Sequence, residues 1–343
     1  MKRSWVLLIL NVLLIIPLAI YAYSAIHMRL FRDELALFLV LKRLGVWGAT
    51  IYWYESWNGR IFANFMINVL LPMGQNVQAA FKIGLIGVWW VGLFSLFRRL
   101  FVNCPQRGLY SGTMASLTAL TFFQGLPSIP LAIYWQNTVL IYFVPVVIFT
   151  YYLIALLNTS RLSNWLCLIL AFCAGAYVEV FTLAQLILFV VAYILIATKR
   201  FSFTRQDILP KLRLSIAGGI VILGLMLLAP GNWARASASV HDISGTLSGA
   251  ASSAAIPLLY LVVHAFPAVI GLVLLPSLII DTERTSRQGR IVSQAQAAFV
   301  LLFYLVISGI CFAIPIFFTQ QPLPYYGWSI PTFLTVLMLA AVG

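Results

Sequence analysis

The stretch "MKRSWVLLILNVLLIIPLAIYAYSAI", residues 1–26, decides the fold class. A basic start is followed by about 20 apolar residues, the length that crosses a hydrocarbon core of about 30 Å. A secretory signal would have a shorter apolar core and a small-residue cleavage site, so this run reads as a retained first span. Hydrophobic residues make up 62% of the 343 and charged residues only 8%. A soluble domain carries roughly 45–50% apolar and about 25% charged residues, so the excess belongs in lipid. The chain reads as an all-α polytopic integral membrane protein, a single transmembrane domain over 1–343.

The charge pattern gives an expected topology. The net charge is +13, yet the basic residues do not form a nucleic-acid stripe. They gather in short loops: Lys2 and Arg3; Arg98, Arg99 and Arg107; Arg161; residues 199–213; Arg284, Arg287 and Arg290. That distribution is the positive-inside signal and places these loops in the cytoplasm. Later apolar runs fall at about 138–157, 163–178, 181–198, 213–229, 256–280, 295–316 and 328–343. About ten transmembrane helices are expected, within a range of nine to eleven. The doubtful element is "IFANFMINVLLPM", 61–73, short enough to be re-entrant or interfacial. An eleven-span version puts Arg98 and Arg99 outside. Residues 25–60 form the first outer loop, where Leu35, Leu37, Phe38 and Leu41 beside Arg32, Lys42 and Arg43 predict an amphipathic outer-leaflet helix.

Acidic residues are scarce, eight in all, and Asp33, Glu34, Glu55, Glu179 and Asp242 fall in or beside outer loops. Other polar groups gather on the same side: Trp57, Asn58 and Arg60 in "WNGR"; Tyr134, Trp135, Gln136 and Asn137; Asn232 and Arg235 in "APGNWAR". Ionisable groups at a membrane are paired or functional, so their convergence on one face predicts a single outward-facing pocket. Bland readings stand beside this one. Asp33 and Glu34 could cap a surface helix, Glu179 could pair structurally with Arg60 or Arg235, and either arginine could hold a lipid headgroup. Cys104, Cys167, Cys173 and Cys311, like His241 and His264, show no metal-ligand spacing.

The order of these features resembles that of bacterial multi-pass proteins related to the GT-C glycosyltransferases. It runs from an acidic pair in the first outer loop through "WNGR", a "YW" with a polar pair, and a glutamate at a span end to "APGNWAR". The resemblance covers about residues 1–330. It implies a GT-C-like fold in the bacterial cytoplasmic (inner) membrane, with its active face outside the cytoplasm. It also implies transfer of a sugar from a polyprenyl-phosphate donor to an acceptor. Carried over, Asp33 with Glu34 is the catalytic base or holds a divalent cation. Arg60 and Arg235, with Asn58 and Asn232, bind the lipid phosphate. Trp57, Tyr134, Trp135, Gln136, Asn137 and Glu179 bind sugar or acceptor. The expected partners are membrane lipids, the lipid-linked sugar and other membrane proteins, with no nucleic acid.

The chemistry is sufficient with few groups. Attack of a hydroxyl on an anomeric carbon needs one general base. A phosphate leaving group needs cations rather than a second carboxylic acid. Two departures leave other readings open: "TQQPLPYYGWSIP" lacks an arginine expected before the final spans, and the chain stops at Gly343 inside an apolar run. The alternatives are a non-catalytic integral subunit of a larger membrane complex and a transporter or flippase for a lipid-linked glycan.

Overall fold

The computed structural model describes residues 2–27, 32–102, 104, 106–198, 207–237, 256–257, 259–260 and 329–342. The expected spans at 256–280 and 295–316 lie essentially outside these residues. Among the described residues the chain is helical throughout, without strands. Among the described residues six helices are long and apolar enough to cross a membrane: Ser4–His27, Glu34–Ser56, Gln75–Leu100, Gln136–Leu156, Glu179–Ala197 and Ile208–Leu227.

In chain order the elements are α1 (Lys2–Ser24), α2 (Arg32–Ser56), α3 (Ile61–Leu70), α4 (Gln75–Leu100), α5 (Arg107–Gln124), the short α6 (Gln136–Thr138) and α7 (Val144–Leu156). They continue with α8 (Leu162–Gly175), α9 (Glu179–Ala197), α10 (Ile208–Leu227), α11 (Pro230–Ser237) and α12 (Ser329–Val342). Sequential neighbours pack together, α4 on α5, α7 on α8 and α8 on α9, while α10 lies against both α8 and α9. α1 packs on α5, and α12 closes on α5 from the far end of the chain.

α2 differs from the expected surface helix. The 25-residue element has a break at Gly45, φ 68° and ψ 179°, a left-handed conformation that favours glycine. Each half has about a dozen residues and rises roughly 18 Å, short of a hydrocarbon core. By length and composition Glu34–Ser56 could span, but the break at Gly45 argues against a straight crossing. Of the apolar positions expected on its face, Leu41 is buried, whereas Leu35 and Phe38 are exposed beside exposed Lys42 and Arg43. α3, the segment expected to be re-entrant, is ten residues long and ends in a 3-10 turn, Leu71–Met73, where Pro72 stops the α-helix. It packs against α2.

The centre is α5, rich in Ser, Thr and Gly, in which every residue from Tyr110 to Phe123 is buried. Around it Trp89 of α4 meets Phe122, Phe143 and Phe333 edge to face, with ring centroids 4.9, 5.2 and 6.5 Å apart. The Trp89 indole also donates to Thr150 Oγ at 3.0 Å. Small hydroxyl residues let helices approach closely and give polar anchors where lipid cannot. Asn11 of α1 uses this, donating to Leu109 O at 3.0 Å and Thr113 Oγ at 2.8 Å on α5.

These helices give the bundle two distinct ends. At one, Gln106 donates to Ser4 Oγ at 2.6 Å, Arg107 to Arg98 O, Arg99 to Ile154 O at 3.3 Å, and Lys211 to Leu156 O at 3.1 Å and to Asn158 O. The basic residues of three helix termini, those of α4, α5 and α10, therefore share one end. α10 leaves that end at Lys211 and reaches the other at Met226, where the candidate site lies.

Candidate functional site

Three turns meet at the non-basic end. The first joins α2 to α3 and carries "WNGR"; the second joins α8 to α9 and delivers Glu179; the third joins α10 to α11, whose first turn carries "PGNW". Pro230 suits the first turn of α11, because its missing N–H is not needed there. Glu179 opens α9, where a carboxylate is favoured by the helix dipole.

Two glycines let the first and third turns touch backbone to backbone. A Cβ on Gly231 would sit 2.4 Å from Trp57 N and 2.8 Å from Asn58 N. A Cβ on Gly59 would sit 2.4 Å from Met226 O and 3.0 Å from Asn232 Nδ2. The Tyr54 hydroxyl adds a bond to Leu225 O at 2.9 Å.

The side chains then join all three turns. Arg60 Nε donates to Glu179 Oε2 at 3.0 Å, with side chains only 18% and 12% exposed. Asn232 Nδ2 donates to Met226 O at 2.8 Å and reaches Glu179 Oε1 at 3.5 Å. Asn58 Oδ1 accepts from Arg60 N at 3.0 Å and from Asn64 Nδ2 of α3 at 3.1 Å. Tyr177, two residues before Glu179, is buried, and that burial pushes its phenol up to about 12, so it stays protonated. Trp57 stands 54% exposed beside the cluster.

The other expected site residues are placed differently. Glu34 is 2% exposed in the first turn of α2 and faces the ammonium of Lys82 on α4, itself 5% exposed. Sequence reading passed over Lys82; its signal was a lysine inside the apolar run 79–97, with Gln78 one turn before it. Gln78 caps the end of α3, donating to Leu71 O at 3.2 Å. The side chains of Asp33 and Arg235 lie outside the described residues; the Arg235 backbone belongs to α11. Tyr134 is buried and donates its hydroxyl to Tyr21 O at 2.7 Å, tying α1 to the α5–α7 connection. Trp135 is half-buried, and Gln136 and Asn137 are buried in the same connection.

A divalent cation is poorly suited to the part of the acidic pair that is described, because Lys82 would repel it from Glu34. Among the described residues no group of three or more His, Cys, Asp or Glu side chains could hold a metal. Compared with known proteins, the chain has no significant match to any family model, curated protein or solved structure. What the fold and the cluster define is a class: an all-helical protein with apolar helices compatible with integration into a membrane, and a polar cluster built from three turns at one end.

Proposed function

We propose that the chain is a GT-C-like glycosyltransferase of the bacterial cytoplasmic membrane. It would move a sugar from a polyprenyl-phosphate donor to an acceptor hydroxyl on the non-cytoplasmic face. The observation that carries the reading is the convergence of Asn58, Arg60, Glu179 and Asn232 from three distant turns, at the end of the bundle opposite the basic loops. By the positive-inside rule the basic end belongs in the cytoplasm and the cluster outside it.

In this reading Asp33 takes the proton of the acceptor hydroxyl as its oxygen bonds the anomeric carbon. The bond from that carbon to the phosphate oxygen breaks, and its electron pair leaves with the polyprenyl phosphate. Asp33 rather than Glu34 is the base in this reading, because the Glu34 carboxylate is engaged by the ammonium of Lys82 that it faces. Glu179 balances the charge of Arg60 and, through Nε, fixes the guanidinium plane. Arg235, one turn beyond Asn232 on α11, then supplies the net positive charge for the leaving phosphate.

The test is transfer of labelled sugar from polyprenyl-phosphate donors in nanodiscs. Asp33→Asn lowers the rate by roughly 10²–10⁴ while leaving donor binding intact, because asparagine keeps the shape but cannot take a proton. Arg235→Ala weakens donor binding and rate together. Full activity in Asp33→Asn and Glu34→Gln, singly and combined, removes the base from this loop.

One observation favours the subunit reading instead: the ion pair and the glycine contacts would equally serve to lock three turns without chemistry. Under that reading Arg235→Ala leaves polyprenyl-phosphate binding unchanged.

A further inference from the structure

Between α5 and α7 the helix is interrupted in an unusual way. Two π-helical turns, Pro130–Tyr134 and Val139–Phe143, flank α6. Trp135 between the first turn and α6 is extended, with φ −70° and ψ 123°. The backbone of the break is well supplied with partners. Trp135 N donates to Pro130 O at 3.1 Å, Val139 N to Trp135 O at 3.0 Å, and Thr138 Oγ to Leu131 O and, at 2.9 Å, to Trp135 O.

The side chains are not so supplied. Gln136 is 1% exposed, and among the described residues neither its Oε1 nor its Nε2 has a hydrogen-bond partner. Among the same residues Asn137 Oδ1, next along the chain, is buried without a partner too, as is Asn68 Oδ1 on α3, the helix that packs against α6. Buried amides in native proteins are nearly always satisfied, and a whole amide open at both ends is a rare exception that asks for an explanation. π-turns inside helices collect at functional sites.

We propose that Gln136, with Asn137 beside it, is the binding site for an uncharged, hydroxyl-bearing ring, the neutral sugar of the lipid-linked donor. A primary amide offers two donors and a two-lone-pair acceptor, which matches neighbouring hydroxyls that each donate and accept. The segment 130–143, "PLAIYWQNTVLIYF", has no charged residue, so a uronate or an amino sugar would find no counter-charge there. α3 links this break to the ionic cluster: it packs on α6, and its Asn64 bonds Asn58 beside Arg60. The ligand's chemical class rests on the transfer reading above; the open amide does not.

The experiment uses the full chain in nanodiscs with three probes: polyprenyl phosphate, a neutral polyprenyl-phosphate hexose, and the corresponding hexuronate. Wild-type protein binds the hexose-bearing lipid about tenfold more tightly than bare polyprenyl phosphate, the effect of one or two net hydrogen bonds, and the uronate gains nothing. Gln136→Met, and independently Gln136→Leu, bring the hexose preference to about one and leave bare-lipid affinity unchanged. A preference that survives both substitutions overturns the inference, and so does an equal preference for the uronate. If none of the three lipids binds the wild type, the transfer reading fails. The inference is then decided by methyl hexoside alone in ligand-observed NMR. A signal lost in Gln136→Met upholds it, while no signal, or an unchanged one, overturns it. Both variants remove an unsatisfied buried amide, so their Tm is expected at or above the wild-type value. A lower Tm in both marks the amide as a structural group and overturns the assignment.

Discussion

At one end of the bundle Arg99, Arg107 and Lys211 each donate to main-chain carbonyls near helix termini; at the other, Arg60, Glu179, Asn58, Asn64 and Asn232 bond chiefly one another. The first arrangement is local capping: cations meet the carbonyls left over at helix C-termini, where the dipole also favours them. It needs no partner of opposite sign and tolerates substitution one residue at a time. The second brings together groups far apart in sequence, Arg60 with Glu179 and Asn232 with Glu179, and it fails if one turn moves. Charge placed as caps serves to orient a chain in a membrane. Charge wired across three turns holds a specific geometry, which is what a site requires.

Substitutions can break or sharpen this contrast. The largest loss is expected from Glu179→Ala, which takes the ion-pair carboxylate away from the largely shielded Arg60. Removing one member of such a pair costs about 3–5 kcal/mol, read as unfolding free energy in detergent. Arg60→Ala should cost less once Glu179 is already gone. Strictly additive losses in the double mutant would dissolve the idea of a wired cluster.

Next comes Gly231→Ala, whose Cβ would press on Trp57 N and Asn58 N. Overpacking of this kind costs about 1–3 kcal/mol. Gly84→Ala is the control, since a Cβ there meets nothing within 4 Å and a helix-interior alanine gains about 1 kcal/mol over glycine. Equal effects at the two glycines would mean that the turn-to-turn contact carries no weight.

At the basic end, Lys211→Met should cost about 1–2 kcal/mol, because two carbonyls at the end of α7 lose a buried donor. The smallest change is expected from Asp207→Asn. Its carboxylate lies 3.9 Å from Lys211 and is itself 39% exposed, and partly exposed pairs contribute less than about 1 kcal/mol. If Asp207 mattered more than Glu179, the contrast between the two ends would be reversed.

Much of the site was legible in the sequence because polar residues are so rare in this chain. Arg60, Glu179 and Asn232 stood out against an apolar background, and pairing Glu179 with an arginine was among the expectations. Three features were not legible. α5 carries Ser111, Thr113, Ser116, Thr118 and Thr121 and so does not stand out as apolar, yet its burial is the reason it can be polar. Lipid demands hydrophobic surface, whereas a helix shielded by its neighbours needs only small side chains and internal partners. Lys82 hid inside an apolar run because its countercharge, Glu34, lies on another helix. The break at Gly45 left no mark beyond a glycine, since whether a glycine adopts positive φ depends on what the two half-helices pack against.

What the sequence determined by itself was the class of the protein. Runs of about 20 apolar residues must satisfy their backbone internally in lipid, and helices do so within each segment, so local sequence is enough. Only the tertiary structure decided which scarce polar groups meet. The distance from Arg60 to Glu179, the glycine-mediated contact of Gly231 with Trp57, and the open amide of Gln136 depend on how helices pack across long separations in the chain. Packing is set jointly by every side chain in the interface, and no single stretch of sequence contains it.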